Sequence, residues 1–235
     1  MSEVGLPQDH LPILEWHKRL YKKQHDFILS PMTYWETLFV AGNGTGKTRV
    51  LYLALIELAL GFHPWCKAKE ASPPFQIKVL LNDFEHGLEK VFRETAMSPA
   101  SMPDGGSIGR ILPESAVNGD PNKPWSRDDR AIYFKNGSVM FFQTGEQKKK
   151  LHSGTNIDIL GCDEEAEKQH YDESKRGLRN AKGGGLILHS FTPPFDEESK
   201  NKGPTWTKFD LVDPIERGEY PEGNVIRSLR FSIVQ

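Results

Sequence analysis

The chain has 235 residues, 37% hydrophobic and 26% charged, with a formal net charge of −2. That supplies one sizeable apolar core and no global basic field, so any DNA contact must come from local patches or from assembly with other subunits. Two cysteines, Cys66 and Cys162, are too few for a metal cage or a disulfide framework and fit a reducing, intracellular setting; the amino terminus lacks the form of a signal peptide, and no apolar run approaches the ~18 residues that cross a bilayer.

Leu11, Leu14, Leu20, Tyr21, Phe27 and Ile28 recur at helical spacing and Pro31 closes the segment, which predicts one helix over 12–29. Gln24 lies in it beside Tyr21. Its amide presents both a donor and an acceptor, as the edge of adenine requires, although taken alone it reads first as a surface glutamine.

The most informative stretch follows. Thr37-Leu38-Phe39-Val40 reads as a strand and 49–60 as a helix, and Ala41-Gly42-Asn43-Gly44-Thr45-Gly46-Lys47-Thr48 joins them. Glycines at a strand-to-helix turn let successive N–H groups point into one concavity, where they and the helix N-terminus can hold a nucleotide phosphate. Lys47 would reach the β- and γ-oxygens, and the Thr48 hydroxyl would ligate Mg²⁺. Ala41 replaces the first glycine of the strict pattern, where only a small residue is needed. The plain alternative is a glycine-rich turn with a chance Gly-Lys-Thr. The helix after the loop is apolar on nearly all sides, so it should be buried against a sheet, with Gly61 as its C-terminal cap.

Residues 77–81 predict a buried strand, and Asn82 or Asp83 caps a helix with Phe84, Leu88, Val91 and Phe92 on one face. Residues 98–129 show little periodicity and read as a functional or mobile loop. Asn136-Gly137 between two apolar runs marks a β-hairpin. The basic loop Lys148-Lys149-Lys150, with His152-Ser153-Gly154 after it, reads equally as a solvated surface.

Residues 157–162 predict a strand that ends on Asp163-Glu164-Glu165. At that end of an apolar strand Asp163 would hold magnesium and Glu164 would deprotonate a water attacking the γ-phosphate. An acidic triplet alone is a weak signal; combined with the phosphate loop it is strong. Cys162 is expected to face the core. Arg176 and Arg179 fall in a short polar helix, and 186–191 is a third core strand, with Ser190 and Thr192 near its C-terminal end and His189 read as a satisfied sheet residue. Residues 196–204 read as a mobile loop, 206–211 as a packed element and 225–234 as a strand. An ending inside a strand pattern suggests a longer natural polypeptide.

In this order, Gln24, the phosphate loop, Asp163-Glu164-Glu165 and the strand ending Ser190-Phe191-Thr192-Pro193 resemble the ATPase domain of the large terminase subunit of tailed double-stranded DNA phages. The resemblance covers roughly Tyr21 to Phe209. It implies an α/β P-loop NTPase of the additional-strand, catalytic-glutamate type, with a mainly parallel sheet flanked by helices and the hairpin added to it. It also implies hydrolysis of ATP with Mg²⁺ coupled to pumping double-stranded DNA into a procapsid, in the host cytoplasm. Implied partners are the portal, the small terminase subunit and further copies in a ring, without a membrane. By resemblance Gln24 contacts adenine, the residues from Ala41 through Gly42, Asn43, Gly44, Thr45, Gly46 and Lys47 to Thr48 bind phosphate, Thr48 and Asp163 hold the metal, Glu164 is the base and Thr192 belongs to the coupling motif. Family members often carry an arginine within the phosphate loop. Here Gly42 and Asn43 stand there, so the charge donor is expected in trans, from Arg179, Arg176 or the 148–150 loop. The expected organisation is an adenine-side segment over 1–35, a core over 36–212 and the start of a lid or linker over 213–235, with no nuclease domain. The alternatives are a helicase-like DNA-dependent ATPase, or a nucleotide-binding module without turnover; phosphate release with and without DNA separates these.

Overall fold

The structure, a computed structural model, describes residues 10–101, 107–125, 129–145, 156–192, 206–219 and 226–231. Its centre is a seven-stranded sheet built from β1 (Glu36–Ala41), β2 (Gln76–Leu81), β5 (Ala131–Tyr133), β6 (Val139–Thr144), β7 (Ile159–Asp163), β8 (Leu186–Phe191) and β9 (Ile226–Phe231). The spatial order is β5-β6-β2-β7-β8-β1-β9. Every pairing in it is parallel except β5 with β6, the hairpin around Asn136-Gly137. A two-residue ladder, β3 (Ala100–Ser101) with β4 (Ser107–Ile108), stands apart.

A parallel sheet must be covered on both faces, and each pairing needs a crossover. The principal cover of one face is α3 (Lys47–Leu60), buried along nearly all of its length as its apolar sequence requires. It approaches the sheet closely at Gly161, where a Cβ would lie 2.7 Å from Leu55 Cδ1, so any other residue there would force the Leu55 side chain to shift. Phe27, Phe39, Leu51, Leu55, Ile77, Val79 and Ile159 share this core. The opposite face carries α5 (Lys168–Arg176) and α6, the helical segments Lys208–Val212 and Asp213–Glu216 run together. Here Tyr171 packs with Cys162 and Ile187, and Leu211 and Val212 pack with Leu38, Val40 and Phe191. Both cysteines are free and buried, and no described helix is long and apolar enough to cross a membrane.

Two local expectations need correction. The single helix over 12–29 is two, α1 (Leu11–Arg19) and α2 (Lys22–Leu29), broken where Leu20 and Tyr21 adopt extended backbone. No Pro or Gly marks that break; Gln24 makes it by accepting the Tyr21 N–H at 2.8 Å, a capping contact at the start of α2. The aperiodic stretch 98–129 also contributes core, since Ile111, Leu112 and Trp125 are buried. The helix after β2, α4 (Glu85–Met97), is wound with π-type bonding, and Asp83 accepts from His86 N–H at 2.5 Å at its start. Its buried residues Leu88, Phe92 and Ala96 fall at intervals of four, as the wider winding favours.

A buried polar cluster pins α5 to the sheet. Glu36, fully buried at the start of β1, accepts from Tyr171 Oη at 2.5 Å, His189 Nε2 at 2.9 Å and Lys175 Nζ at 3.2 Å. Burial opposes charge on His189, but the Cys162 sulfur and the Glu36 carboxylate outweigh it and raise the imidazole to about 10. Burial likewise opposes charge on Glu36, and His189, Lys175 and Tyr171 more than compensate, holding the carboxyl below its usual range.

The linkage has a definite sign. An imidazole raised from its ordinary ~6.5 contributes stability that is complete below that pH and is lost as pH rises through about 10. The urea midpoint is therefore expected to fall between pH 7 and pH 10 by more in the parent than in His189→Gln; parallel slopes for the two proteins would remove the imidazolium from the cluster.

Candidate active site

In parallel α/β sheets ligands bind beyond the carboxyl ends of the strands. The loop over 42–46 leaves β1 at that edge, and Asp163 ends β7 at the same edge. Strand β8 lies between them, pairing Val40 with Phe191 on one side and Asp163 with Ser190 on the other. The loop has the backbone its glycines allow: Gly44 and Gly46 have φ of +77° and +75°, a region that L side chains rarely adopt. Thr45 Oγ1 donates to the Gly42 carbonyl at 2.8 Å, tightening the turn.

Two pairs of side chains meet there. Lys47 Nζ lies 2.9 Å from Glu164 Oε1. Thr48 Oγ1 donates to Asp163 Oδ1 at 3.0 Å, and Ser190 Oγ donates to the same oxygen at 3.0 Å. Tyr52, one helical turn beyond Thr48, donates to Asp163 Oδ2 at 3.1 Å. Burial pushes the Asp163 carboxyl above its usual range, while the hydroxyls of Thr48, Ser190 and Tyr52 pull it back. Burial and the neighbouring Asp163 together push the Tyr52 hydroxyl well above its own usual value, so it remains a donor.

Glu164 is held from several directions. It has φ +66°, and its N–H donates to the Ser190 carbonyl at 2.7 Å. Its carboxylate accepts from the Thr192 N–H at 2.8 Å and the Thr192 hydroxyl at 3.1 Å. That hydroxyl also lies 3.2 Å from Asn43 Oδ1, so the exit of β8 touches both the phosphate loop and the carboxylate.

Gln24 is brought to the loop, but not as a surface residue. It is 6% exposed; besides capping α2 it donates from Nε2 to the Thr45 carbonyl at 2.9 Å, bracing the loop. Arg179 is not part of the site within one chain. It lies in the turn Gly177–Asn180, and the Gly177 carbonyl accepts from Ile157 N–H at 3.1 Å, which puts the turn at the amino end of β7. A five-residue strand, roughly 16 Å at ~3.3 Å per residue, separates it from Asp163. Arg176 is exposed and pairs with Glu173 at 2.5 Å. Residues 148–150, 152–154, Pro193 and 196–204 lie outside the described residues.

The arrangement fits a small hard cation. Among the described residues no group of three or more His, Cys, Asp or Glu could hold a metal by itself. A hydroxyl and one carboxylate converging at 3.0 Å suit magnesium, which keeps several waters and takes further oxygens from phosphate. Tyr52 is the site residue that pattern reading passed over. Its position four residues after Thr48 was the available signal, because i and i+4 share a helix face.

No protein-family model and no curated protein matches the sequence. Solved structures do match in fold. The large terminase from a thermophilic bacteriophage aligns in one crystal form with a TM-score of 0.52 at 12% identity, covering 96% of this chain and 46% of that one. The same terminase in complex with ADP aligns with a TM-score of 0.50 at 12% identity, over 95% of this chain and 44% of that one, and a further structure of it with a TM-score of 0.53 at 12% identity, over 90% and 44%. The chain has the fold of a phage large terminase. It spans less than half the length of the terminase structures it matches. In this chain β8 lies between β1, the strand before the Ala41–Thr48 loop, and β7, the strand that ends on Asp163.

Tyr52→Phe would leave Asp163 Oδ2 buried without its donor. It is expected to destabilise the protein by about 1–3 kcal/mol, the usual cost of an orphaned buried polar group, read as a lowered urea midpoint at unchanged slope. An unchanged midpoint would show that the bond contributes nothing.

Proposed function

We propose that this chain is the ATPase motor region of a terminase large subunit, hydrolysing ATP with Mg²⁺ to drive double-stranded DNA into a procapsid. The observation that carries this reading is the convergence of Lys47 on Glu164 at 2.9 Å and of Thr48 on Asp163 at 3.0 Å at one sheet edge. The terminase fold agrees with it, and the matching terminase of the thermophilic phage has been solved with ADP. In this reading 1–35 is the adenine-side segment, 36–212 the core and 213–235 the start of a lid or linker. DNA, the portal, the small subunit and neighbouring copies are the partners, in the host cytoplasm.

The chemistry assigns each residue a task. Amides of the loop from Ala41 to Thr48 take the phosphates, and Lys47 exchanges its carboxylate partner for the β- and γ-oxygens. Thr48 and Asp163 would hold magnesium, which supplies positive charge to the phosphate oxygens when bound. Glu164, once released by Lys47, accepts a proton from the water that attacks the γ-phosphorus, while the bond from that phosphorus to the bridging oxygen breaks and ADP leaves with its electron pair. Thr192, bonded to Glu164 and near Asn43, reports the state of the carboxylate to the exit of β8. Gln24 supports the loop beside the adenine position. Within one chain Lys47 is the transition-state cation; Arg179 and Arg176, at the far edge of the sheet, act on a neighbouring copy. Hydrolysis should therefore rise with protein concentration.

Glu164→Gln is expected to retain nucleotide binding while phosphate release falls about 10²–10⁴-fold, the range of general base catalysis. Lys47→Ala should weaken both. Phosphate release measured with and without double-stranded DNA completes the test; turnover in Glu164→Gln equal to the parent would overturn the assignment of the base, and a parent inert in every condition would leave a nucleotide-binding module.

A further inference from the structure

The third acidic residue of the run, Glu165, has no task in the chemistry above. Its surroundings differ from those of its neighbour. Glu165 Oε1 accepts from the Thr207 N–H at 2.9 Å and from the Thr207 hydroxyl at 2.6 Å, and Thr207 is buried. The next residue, Ala166, accepts the Trp206 indole N–H at its carbonyl at 2.8 Å. Lys168 pairs with Asp210. Three of the four residues after the catalytic carboxylate, Glu165, Ala166 and Lys168, are thus tied to the start of α6, 40 to 42 residues away.

The helix at the far end of these ties is itself fixed. Trp206 packs on Tyr171 with ring centroids 4.8 Å apart, and Leu211 and Val212 pack on Leu38, Val40 and Phe191. Beyond it, β9 lies parallel to β1, the strand that feeds the phosphate loop. The turn after β7 is therefore clamped to a body that shares its packing with β1 and β8.

Glu164 needs such a clamp. Its φ of +66° is a left-handed conformation in which a Cβ crowds the following carbonyl, so a residue with a side chain occupies it at a cost. Such strain persists only where the surroundings over-determine it. On one side Glu164 is held by Ser190 and Thr192; on the other the chain is free to relax unless Glu165 and Ala166 are fastened. The left-handed turn directs the carboxylate of Glu164 to Lys47 and that of Glu165 to Thr207. If the second anchor is released, the backbone can return to ordinary φ and carry the first carboxylate away from the site.

We infer that Glu165 is a positioning residue: bound to Thr207 at the start of α6, it fastens the left-handed turn that aims Glu164 at the attacking water. The inference rests on the assignment of Glu164 as the base. It adds a role for α6, which becomes part of the mechanical frame of the catalytic carboxylate, so a displacement of that helix would alter turnover without touching nucleotide.

The test is steady-state ATP hydrolysis by the full chain, with nucleotide affinity read separately by a fluorescent ADP. Glu165→Ala should lower kcat about tenfold or more, with KM for ATP and ADP affinity within twofold of the parent. Glu165→Gln, whose amide oxygen can still accept both Thr207 bonds, should restore most of kcat. Should Glu165→Ala fail to fold, Thr207→Val and Thr207→Ser give the same comparison: the valine should lower kcat and the serine should match the parent. Turnover by folded Glu165→Ala or Thr207→Val within twofold of the parent would overturn the proposal, as would equal losses in the alanine and glutamine variants or in the valine and serine variants. Glu164→Gln in the same assay keeps the two readings apart, because a failure of the base assignment appears there, whatever the Glu165 variants do.

Discussion

The site depends on one constraint, that a lysine and an acidic pair encoded more than a hundred residues apart end at the same edge of one sheet. Lys47 Nζ and Glu164 Oε1 meet at 2.9 Å only because β8 lies between β1 and β7 with its residues in register to both. Were β7 paired directly with β1, Asp163 would approach the phosphate loop without Ser190 and Thr192 between them. The inserted strand supplies those two hydroxyls. Ser190 donates to the carboxylate that faces Thr48, and Thr192 to the carboxylate that faces Lys47.

This accounts for the division of work between adjacent acids. Asp163 is the last residue of a strand, buried on the α3 side, and its acceptor atoms are occupied by three hydroxyls. Glu164 lies one residue beyond, in a left-handed turn, more exposed, and partnered by a lysine. Two adjacent carboxylates thus acquire different surroundings, three hydroxyls around one and a lysine with Thr192 around the other. Lys47, nearly buried, has the Glu164 carboxylate as counter-charge, so the cation is not left desolvated and unpaired.

Much of this was legible in the sequence where the signal is local. The loop over 41–48 is legible as a strand-to-helix turn because its glycines fall between a strand signal and a helix signal, and the structure has β1 before it and α3 after it. The Asn136-Gly137 hairpin follows from the φ that its turn requires, and the expected reading of His189 as a satisfied sheet residue agrees with its bond to Glu36. What escaped is either long-range or unmarked by a breaker residue. The gap between α1 and α2 carries no Pro or Gly and is set by the Gln24 amide on the Tyr21 N–H. Burial of Gln24 could not be read from a segment of mixed polarity such as Lys22-Lys23-Gln24-His25. Tyr52 sits among apolar helix positions, and only the location of Asp163, 111 residues away, gives its hydroxyl a purpose. The partners of Glu36 and Glu165 are likewise fixed by topology, at separations no periodicity encodes.

The far edge of the sheet bears on assembly. Asp158, just before β7, accepts from the Gln76 and Lys182 N–H groups at 2.9 Å each, so this edge is organised around a carboxylate as firmly as the site is. Arg179 stands on that ordered edge, exposed, in the turn Gly177–Asn180. A turn with ordered backbone has less backbone freedom to lose on docking than an open loop has. In the proposed motor, with nucleotide at one end of the strands and Arg179 at the other, a head-to-tail contact between copies would bring unlike edges together. Such a heterologous contact closes into a ring when the rotation between copies permits it.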